Sequence, residues 1–509
     1  MTDIITTPIF YANGNPHLGH AYSGYIADVA KRFHSLANKG DSLLITGTDE
    51  HGQKIADTAR AHEVNVSQFV NDRAKAFQTL WPQLNIQPNI FVRTTECFHY
   101  KIIQAVWRTL FQNGDIYLGF YQGNYCIGCE QFYSSYELED GCCPIHKAPT
   151  HNTSEETYLF KLESYRQQLI EHYQRYPNFI TPNHYSHSIL DYLQQGPLED
   201  LSVSRVNNEW GINVPHNPKH TIYVWIDALF SYLTALQRAG FNQDDLQKTT
   251  HIIGKDILKF HAVYWPIFLL AANLPLPKRL VIHGWWTING EKISKSNPET
   301  LVSPTDLTDQ LTKDGLRYAL LRQKPLARDG NIVIDELKDL INADLAHSFA
   351  NLVKRNHTLV IKYFSGVIDS SIINQQTLSN TSQFIINHCG QILKKIFDQY
   401  KAYEFYQVTL LLKGLLDSCN HYFHKRTPWE INKGKDRNEV AETCLVTSNL
   451  IRQLAIAFYP LTPNLSTSIL DELGDDVKSC QWQSRFQIQS IEINHARSHF
   501  SKLYPKKTL

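Results

Sequence analysis

The feature that most constrains the fold lies near the start of the chain. The run Ile4-Ile5-Thr6-Thr7-Pro8-Ile9-Phe10 is apolar and β-branched, breaks at the turn-rich Asn13-Gly14-Asn15-Pro16, and gives way to helical spacing from Ala21 to Leu36. A second short run, Ser42-Leu43-Leu44-Ile45-Thr46, ends in Gly47-Thr48-Asp49-Glu50-His51-Gly52 and leads to a helical segment beginning near Ser67. Strands separated by helices pair through crossovers, and crossovers make a parallel sheet. Ligands of such sheets bind beyond the carboxyl ends of the strands, which is where both polar loops lie.

From about Tyr117 to Thr150 the pattern changes to short aromatic and turn-rich pieces, which predicts an insertion. Strand-like runs return at Thr221-Ile222-Tyr223-Val224-Trp225-Ile226, His251-Ile252-Ile253 and Arg279-Leu280-Val281-Ile282-His283, so the sheet is expected to resume. Beyond about Asp335 the pattern is helical apart from one short strand over Phe486 to Ile491, which predicts a helix bundle. The fold class is therefore α/β: a Rossmann-like parallel-sheet domain with an insertion, followed by an all-α bundle.

A chain of 509 residues can bury several cores, and three or four domains are expected. The formal net charge of +0 gives no global sign of a nucleic-acid partner, so any such partner must meet local basic patches. The amino terminus has no basic stretch followed by an apolar one, and no apolar run approaches the roughly 20 residues that span a bilayer. A soluble, cytoplasmic protein without membrane contact is expected. Nine cysteines without a signal peptide argue against a disulfide scaffold. Cys97, Cys389, Cys419, Cys444 and Cys480 stand alone and are expected to be buried as small apolar groups.

The other cysteines cluster. Cys126-Ile127-Gly128-Cys129 and Cys143-Pro144-Ile145-His146 are knuckles separated by 13 residues, which fits one tetrahedral structural Zn²⁺ held by three thiolates and an imidazole. Cys142 is a competing ligand, but Cys143 keeps the two-residue spacing to His146. Four protein ligands leave no position for water, so the metal is expected to shape the insertion.

Two further segments carry phosphate chemistry. His17-Leu18-Gly19-His20 opens a helix after a strand, where backbone N–H groups attract anions, two imidazoles can donate to phosphate oxygens, and Gly19 has no side chain to hinder a flat ring. Lys292-Ile293-Ser294-Lys295-Ser296 follows the turn Asn289-Gly290 and offers two lysines that can bracket a triphosphate. In this order, each on a strand-end loop, the pair resembles the signature of the class I aminoacyl-tRNA synthetases. Neighbouring words resemble the methionine branch of that class: Pro8-Ile9-Phe10-Tyr11-Ala12-Asn13, Thr46 to Gly52, Val224-Trp225-Ile226-Asp227-Ala228, Ile253-Gly254-Lys255-Asp256, Phe260-His261-Ala262-Val263-Tyr264-Trp265-Pro266 and His283-Gly284-Trp285-Trp286.

The resemblance implies ATP-dependent attachment of L-methionine to methionine tRNA, initiator and elongator, through an adenylate. It implies that Asp49 takes the substrate ammonium and that Tyr11, Trp225, Ala228, Tyr232, His261 and Trp265 wall a thioether pocket, to which Ile9 and Leu229 can add apolar contact. For the nucleotide it implies Gly254, Lys255 and Asp256 near ribose and adenine. His17, Gly19, His20, Lys292, Ser294 and Lys295 would serve ATP elsewhere, with both histidines and both lysines on the phosphates and Mg²⁺ bound through ATP oxygens. The family usually has Met where Ile293 stands, and activity is expected to survive that departure. A pocket that senses one methyl discriminates by roughly 10–200-fold, so same-site cyclisation of homocysteine is expected as editing.

For tRNA the resemblance assigns Asn351, Arg355 and Trp429 to the anticodon. Asn351 and Arg355 share a helix face, and Thr427-Pro428-Trp429-Glu430 reads as a capping box with proline at the first helical position. The implied segments are 1–116 and 206–275 for the catalytic domain, 117–205 for the zinc insertion, 276–340 for a stem-contact region with the lysine loop, and 341–509 for the anticodon-binding helices. The chain ends at Leu509 with no room for an appended tRNA-binding domain, so a monomer is expected. Two other readings stay open: a metabolic nucleotidyltransferase, whose members lack a long helical half, and a zinc-dependent RNA-binding regulator that has lost catalysis.

Overall fold

The structure is a computed structural model that describes residues 2–38, 40–126, 131–133, 138–144, 148–206, 208–288, 290–292, 302–372, 378–477, 479–482, 486, 488–493 and 499–503; for 131–133, 153, 291–292 and 372 it describes the backbone alone. The chain divides into two compact units, one of Thr2–Ala27 with Leu43–Gly284 and one of Asp28–Ser42 with Trp285–Leu509. No helix among the described residues is long and apolar enough to cross a membrane.

The first unit is built on a six-stranded parallel sheet. Its strands are β1 (Ile4–Tyr11), β2 (Leu43–Asp49), β3 (Ile90–Arg93), β4 (Ile180–Thr181), β5 (Thr249–Gly254) and β6 (Arg279–His283), in the order β3-β2-β1-β5-β6-β4. The chain winds outward from β1 through β2 to β3, then returns to the other side of β1 with β5 and β6. The crevice beyond the ends of β1 and β5 is thus the topological switch point. Ile4, Ile5, Ile252 and Ile253 are fully buried, as continuous apolar strands covered on both faces must be. Gly47 is required by close packing, since a β-carbon there would lie 2.1 Å from the Val92 carbonyl oxygen. The pairing of β1 with β2 shifts register between Thr6, opposite Ile45, and Ile9, opposite Gly47.

Helices α1 (Leu18–Asn38), α2 (Val66–Gln83), α3 (Cys97–Gln112) and α4 (Val224–Arg238) connect or cover these strands. Between α3 and α4 lies the insertion, whose antiparallel sheet pairs Ile116–Cys126 with His151–Phe160 over ten positions, from Ile116↔Phe160 to Tyr125↔His151. The expected strand over Thr221 to Ile226 is corrected: the strand is Asn217–Ile222, and Val224-Trp225-Ile226 opens α4. Apart from Trp225, the residues Val224 to Leu236 of α4 are buried, so it is apolar all round and lacks the stripe that would have marked it as a helix. A short helix over Gln53–Ala61 was not expected; it buries only Ile55 and Ala59 and has no side-chain cap.

The second unit is helical, with α5 (Asn351–Phe364), α6 (Phe405–Lys425), α7 (Arg437–Phe458) and α8 (Pro463–Glu472) among its helices. Its core is tied by Asp28, whose Oδ2 accepts from Arg32 (2.6 Å) and the buried Arg317 (2.7 Å). The expected strand over Phe486 to Ile491 shrinks to Ile491–Glu492, paired with Val367–Ile368. Upstream of it the Gln489 backbone bonds the Asn449 side chain through both N–H (3.0 Å) and carbonyl (3.0 Å), which takes those groups out of any ladder.

Candidate active site

Just before α1, the carbonyl of His17 accepts from Ala21 N–H (3.2 Å), which makes His17 the cap of the helix. The Nδ1 of His17 accepts from Gly19 N–H (3.1 Å), and His17 N–H donates to Nδ1 of His20 (2.9 Å). Both Nδ1 atoms are acceptors, so the proton of each neutral ring sits on Nε2. His20 is wedged between Phe10 (4.9 Å between ring centroids) and Phe77 (5.1 Å). A β-carbon at Gly19 would stand 3.0 Å from the His17 ring, so glycine lets that ring fold back on the helix start. Two Nε2–H donors at a helix amino terminus form a device for anions.

Beside it, β1 and β2 end in step, with Tyr11 and Asp49 as register partners and Asp49 buried. Helix α4 contributes Trp225, Ala228, Leu229 and Tyr232; the π-helical turn Phe260–Tyr264 and the residue after it contribute His261 and Trp265. Trp225 stacks on Phe260 at 3.5 Å and 10°. Tyr232 hydroxyl lies 2.8 Å from Nε2 of His261, and its ring lies 4.2 Å from the ring of His251. Burial pushes His261 down to about 4 and holds His251 well below the usual imidazole range, so both rings are neutral at physiological pH. Ile9 packs against the same core. His251 and Phe260 received no role from the sequence, although a histidine inside the apolar run Thr249 to Ile253 is a signal of a buried polar contact.

The loop after β2 is held by two networks that the sequence did not reveal. Glu50 is fully buried and accepts from Arg93 (2.7 and 2.8 Å), Thr48 (2.5 Å) and Thr95 (2.5 Å). Next to it, the carboxylate of Asp227 in α4 binds Nδ1 of His51 (2.6 Å) and Nε2 of His99 (2.6 Å); these rings continue to Tyr100 (2.8 Å) and Thr234 (2.7 Å). Burial raises the Asp227 pKa, but the charge and hydrogen bond of His51 and the bonds from His99 outweigh it and hold the carboxyl at about 2. The strand bearing Asp49 and the helix bearing Trp225 are thereby joined.

Gly254 ends β5 in register with His283 at the end of β6, and Ser23 Oγ lies 2.8 Å from Nε2 of His283. A β-carbon at Gly254 would come within 2.5 Å of an Asp256 carboxylate oxygen, so glycine admits the tight turn through Lys255 and Asp256. In the other unit, Lys292 pairs with Thr287 in a hairpin turning at Gly290. The Lys292 side chain and residues Ile293, Ser294, Lys295 and Ser296 lie outside the described residues.

Cys126 and Cys143 are buried together against Leu138, while Cys129 and His146 lie outside the described residues. Two buried thiols of the expected set in one cluster, neither in a disulfide, fit a structural zinc ion; Cys142 is only half-buried. Of the isolated cysteines, Cys389, Cys419 and Cys444 are buried, but Cys97 is exposed, because it opens α3 on its solvent side, and Cys480 is half-buried. Among the described residues a different group, His357, Glu472 and His499, brings three donor atoms within 4.8 Å of one another. There both imidazoles hydrogen-bond one oxygen, Oε2 of Glu472 (2.8 and 2.9 Å), so protons close the group on itself.

In the helical unit, Arg355 of α5 lies over the rings of Trp429 (5.1 Å) and Phe423 (5.2 Å), and Asn351 is exposed one turn earlier. The expected capping box is corrected. Thr427 has a positive φ of 38°, which turns its hydroxyl to the Glu430 carboxylate (3.1 Å) instead of to a backbone N–H, and Pro428–Lys433 is a short 3₁₀ helix.

Comparison with known proteins addresses the whole chain. A family model described as tRNA synthetases class I (M) matches residues 3–153 and 133–357, and one described as the anticodon binding domain of methionyl tRNA ligase matches 374–506. The methionine–tRNA ligase of Caldanaerobacter subterraneus subsp. tengcongensis is 36% identical over 95% of this chain and 75% of its own. That of Nostoc sp. is 38% identical over 93% and 90%. The solved Mycobacterium tuberculosis methionyl-tRNA synthetase in complex with methionyl-adenylate superposes with a TM-score of 0.91 at 33% identity, over 98% of this chain and all of that one. Matches of this extent, over both the sheet and the helices, assign the chain to the methionyl-tRNA synthetase family, the methionine–tRNA ligases of class I.

Proposed function

We propose that this chain activates L-methionine with ATP at the ends of β1, β2 and β5, and transfers it to methionine tRNA. The observation that carries the reading is the buried Asp49 opposite Tyr11 at the ends of β2 and β1, in the unit whose α4 and π-helical turn carry the aromatic wall and whose first helix opens on two imidazole donors. The methionine carboxylate attacks the α-phosphorus, pyrophosphate leaves, and the terminal ribose hydroxyl of tRNA then attacks the adenylate carbonyl and releases AMP. Asp49 binds the ammonium, and Ile9, Tyr11, Trp225, Ala228, Leu229, Tyr232, His261 and Trp265 enclose the thioether. His17 and His20 donate from Nε2 to the phosphates, with Gly19 at the helix start; Gly254, Lys255 and Asp256 receive the nucleoside; Lys292, Ser294 and Lys295 bind the leaving phosphates. Such catalysis is positioning and charge stabilisation, and Mg²⁺ bound through ATP oxygens supplies neutralising charge.

Zinc would be held by Cys126, Cys129, Cys143 and His146 and would cross-link the insertion. Homocysteine, once activated, is cleared when its sulfur attacks its own activated carbonyl and AMP leaves. Asn351, Arg355 and Trp429 read splayed anticodon bases, of initiator and elongator tRNA alike, by stacking and edge hydrogen bonds. The protein acts as a cytoplasmic monomer, with the segments 1–116, 117–205, 206–275, 276–340 and 341–509 as its domains. The test is ATP–pyrophosphate exchange measured across the amino acids, followed by charging of tRNA. Methionine-dependent exchange with charging supports the reading; folded protein without methionine-dependent exchange overturns it. A metal assay should return one zinc per chain, lost in Cys126→Ser.

A further inference from the structure

The helix Asn380–Lys401 of the helical unit buries Ser382, Ile385, Cys389, Leu393, Ile396 and Tyr400, a single stripe at helical spacing. Phe384 lies off that stripe and is 71% exposed. A lone exposed ring needs no explanation, but this one is braced. Its plane is parallel to the ring of His388 one turn on, at 2° and 6.1 Å between centroids, an offset stack. His388 Nε2 lies 3.5 Å from Oγ of Ser418 in α6, and the Ser382 hydroxyl lies 2.7 Å from that of Tyr422 in the same helix. These two contacts fix an antiparallel register that sets Phe384 level with His421, close to the end of α6.

His421 and Lys425 are exposed, and with Ser418 they are three and four residues apart, so they form one stripe along α6 beside the stacked rings. Trp429 follows at the same end of α6, its ring 5.6 Å from that of His424. Residues 380–397 and 418–429 include Lys394, Lys395, Lys425 and Arg426 and neither Asp nor Glu. Asp417, just upstream, is taken by Lys413 (2.6 Å), and Glu442 of α7 reaches the helix at the buried Ser382. The chain as a whole has no net charge, so this cationic surplus is local to the exposed stack.

We propose that Phe384, braced by His388, is a stacking platform for one unpaired base of the tRNA anticodon loop, outside the bases that Asn351, Arg355 and Trp429 receive. A phenyl ring offers a flat face and no hydrogen-bond group, so it accepts any base and adds affinity without reading sequence. Lys425 meets a phosphate of the same strand. Cations around the ring attract RNA and repel a second copy of the chain. The inference rests on the proposed binding of methionine tRNA by the helical unit.

The probe is the anticodon stem-loop of methionine tRNA as a free RNA hairpin, titrated onto the full chain. Phe384→Ala should raise its Kd by roughly 5- to 150-fold, with Tm unchanged because the ring lies outside the core. Phe384→Tyr should keep the affinity, and Phe384→Leu, apolar but without a flat face, should lose it as alanine does. Lys425→Gln should lower the salt slope of log Kd by about one. Discrimination against hairpins with a substituted anticodon should be the same in Phe384→Ala as in wild type; a loss of it would give Phe384 a reading role and overturn the platform. An unchanged Kd in Phe384→Ala, or leucine as good as phenylalanine, also overturns it. So does sedimentation that shows a wild-type dimer split by Phe384→Ala, which assigns the face to a second copy. A hairpin that fails to bind wild type removes the tRNA reading and this inference with it, whereas binding weakened by Trp429→Ala but not by Phe384→Ala removes this inference alone.

Discussion

Asp227→Asn tests the network that joins the Asp49 strand to α4. The carboxyl is held at about 2, below its ordinary 3.8, although it is fully buried, because the His51 and His99 interactions outweigh desolvation. At 1.36 kcal/mol for each unit, that depression is worth roughly 2.5 kcal/mol of folding stability. A depressed acid contributes above its unfolded pKa, so this share is complete above pH 3.8 and is lost as pH falls toward 2. Asparagine keeps one acceptor and turns a donor toward the second ring. His51 can adapt by moving its proton to Nε2, where Tyr100 lies 2.8 Å away and can accept, so the hydrogen bonds survive and the charge does not. At about 2–4 °C per kcal/mol for a unit of this size, calorimetry at neutral pH should show the Tm of the sheet unit lowered by roughly 5–10 °C. The gap to wild type should close as pH drops from about 4 toward 2. Because α4 also carries Trp225 and Ala228, methionine KM should rise while ATP KM changes little. An equal or higher Tm at neutral pH, or a gap indifferent to acid, would refute the reasoning.

Glu472→Gln should destabilise the helical unit above pH 4.5, with the difference shrinking as pH falls toward 2; burial raises this carboxyl, but bonds from His357 and His499 hold it at about 2, below its ordinary 4.5. A pH-independent difference in Tm would contradict this. Trp429→Ala and Arg355→Ala should raise the KM for tRNA by roughly 5- to 150-fold, the worth of one lost base stack, and leave ATP–pyrophosphate exchange untouched. Exchange that falls in parallel with charging would count against an anticodon role. Gly47→Ala places a β-carbon 2.1 Å from a backbone oxygen, so the variant should not accumulate as folded protein, and a wild-type Tm would show the packing to be looser than described.

Four of the six parallel strands, β1, β2, β5 and β6, were readable because each carries a short apolar run, and the loops after β1 and β2 because glycine and polar residues follow; β3 and β4, at Ile90–Arg93 and Ile180–Thr181, are too short to carry a pattern. The start of α4 was not, since a helix buried all round has the composition of a strand and no period to betray it. His51, His99 and Asp227 were invisible as a group for another reason: they lie 176 and 128 positions apart, and only the fold brings them to one carboxylate. Arg355 and Trp429 each have an ordinary local context, and their contact depends on how α5 and the Pro428–Lys433 turn pack. At Thr427 a local rule failed, because a left-handed backbone re-aims the hydroxyl on which the rule relies. In the cysteine knuckles the spacing is itself the signal, and the structure adds the burial of Cys126 beside Cys143.

The register shift in β1 acts as a change of phase. Alternation along a strand sends even and odd positions to opposite faces, and from Thr6 to Ile9 β1 uses one residue more than β2. Thr6, Ile9 and Tyr11 therefore look to the same face despite their mixed parity. Pro8, which has no N–H to offer a ladder, occupies the point where the phase slips. Deleting that single residue would return the strand to strict alternation and still leave Ile9 opposite Gly47 and Tyr11 opposite Asp49, so the extra residue bends β1 without changing which side chains share the face of Asp49.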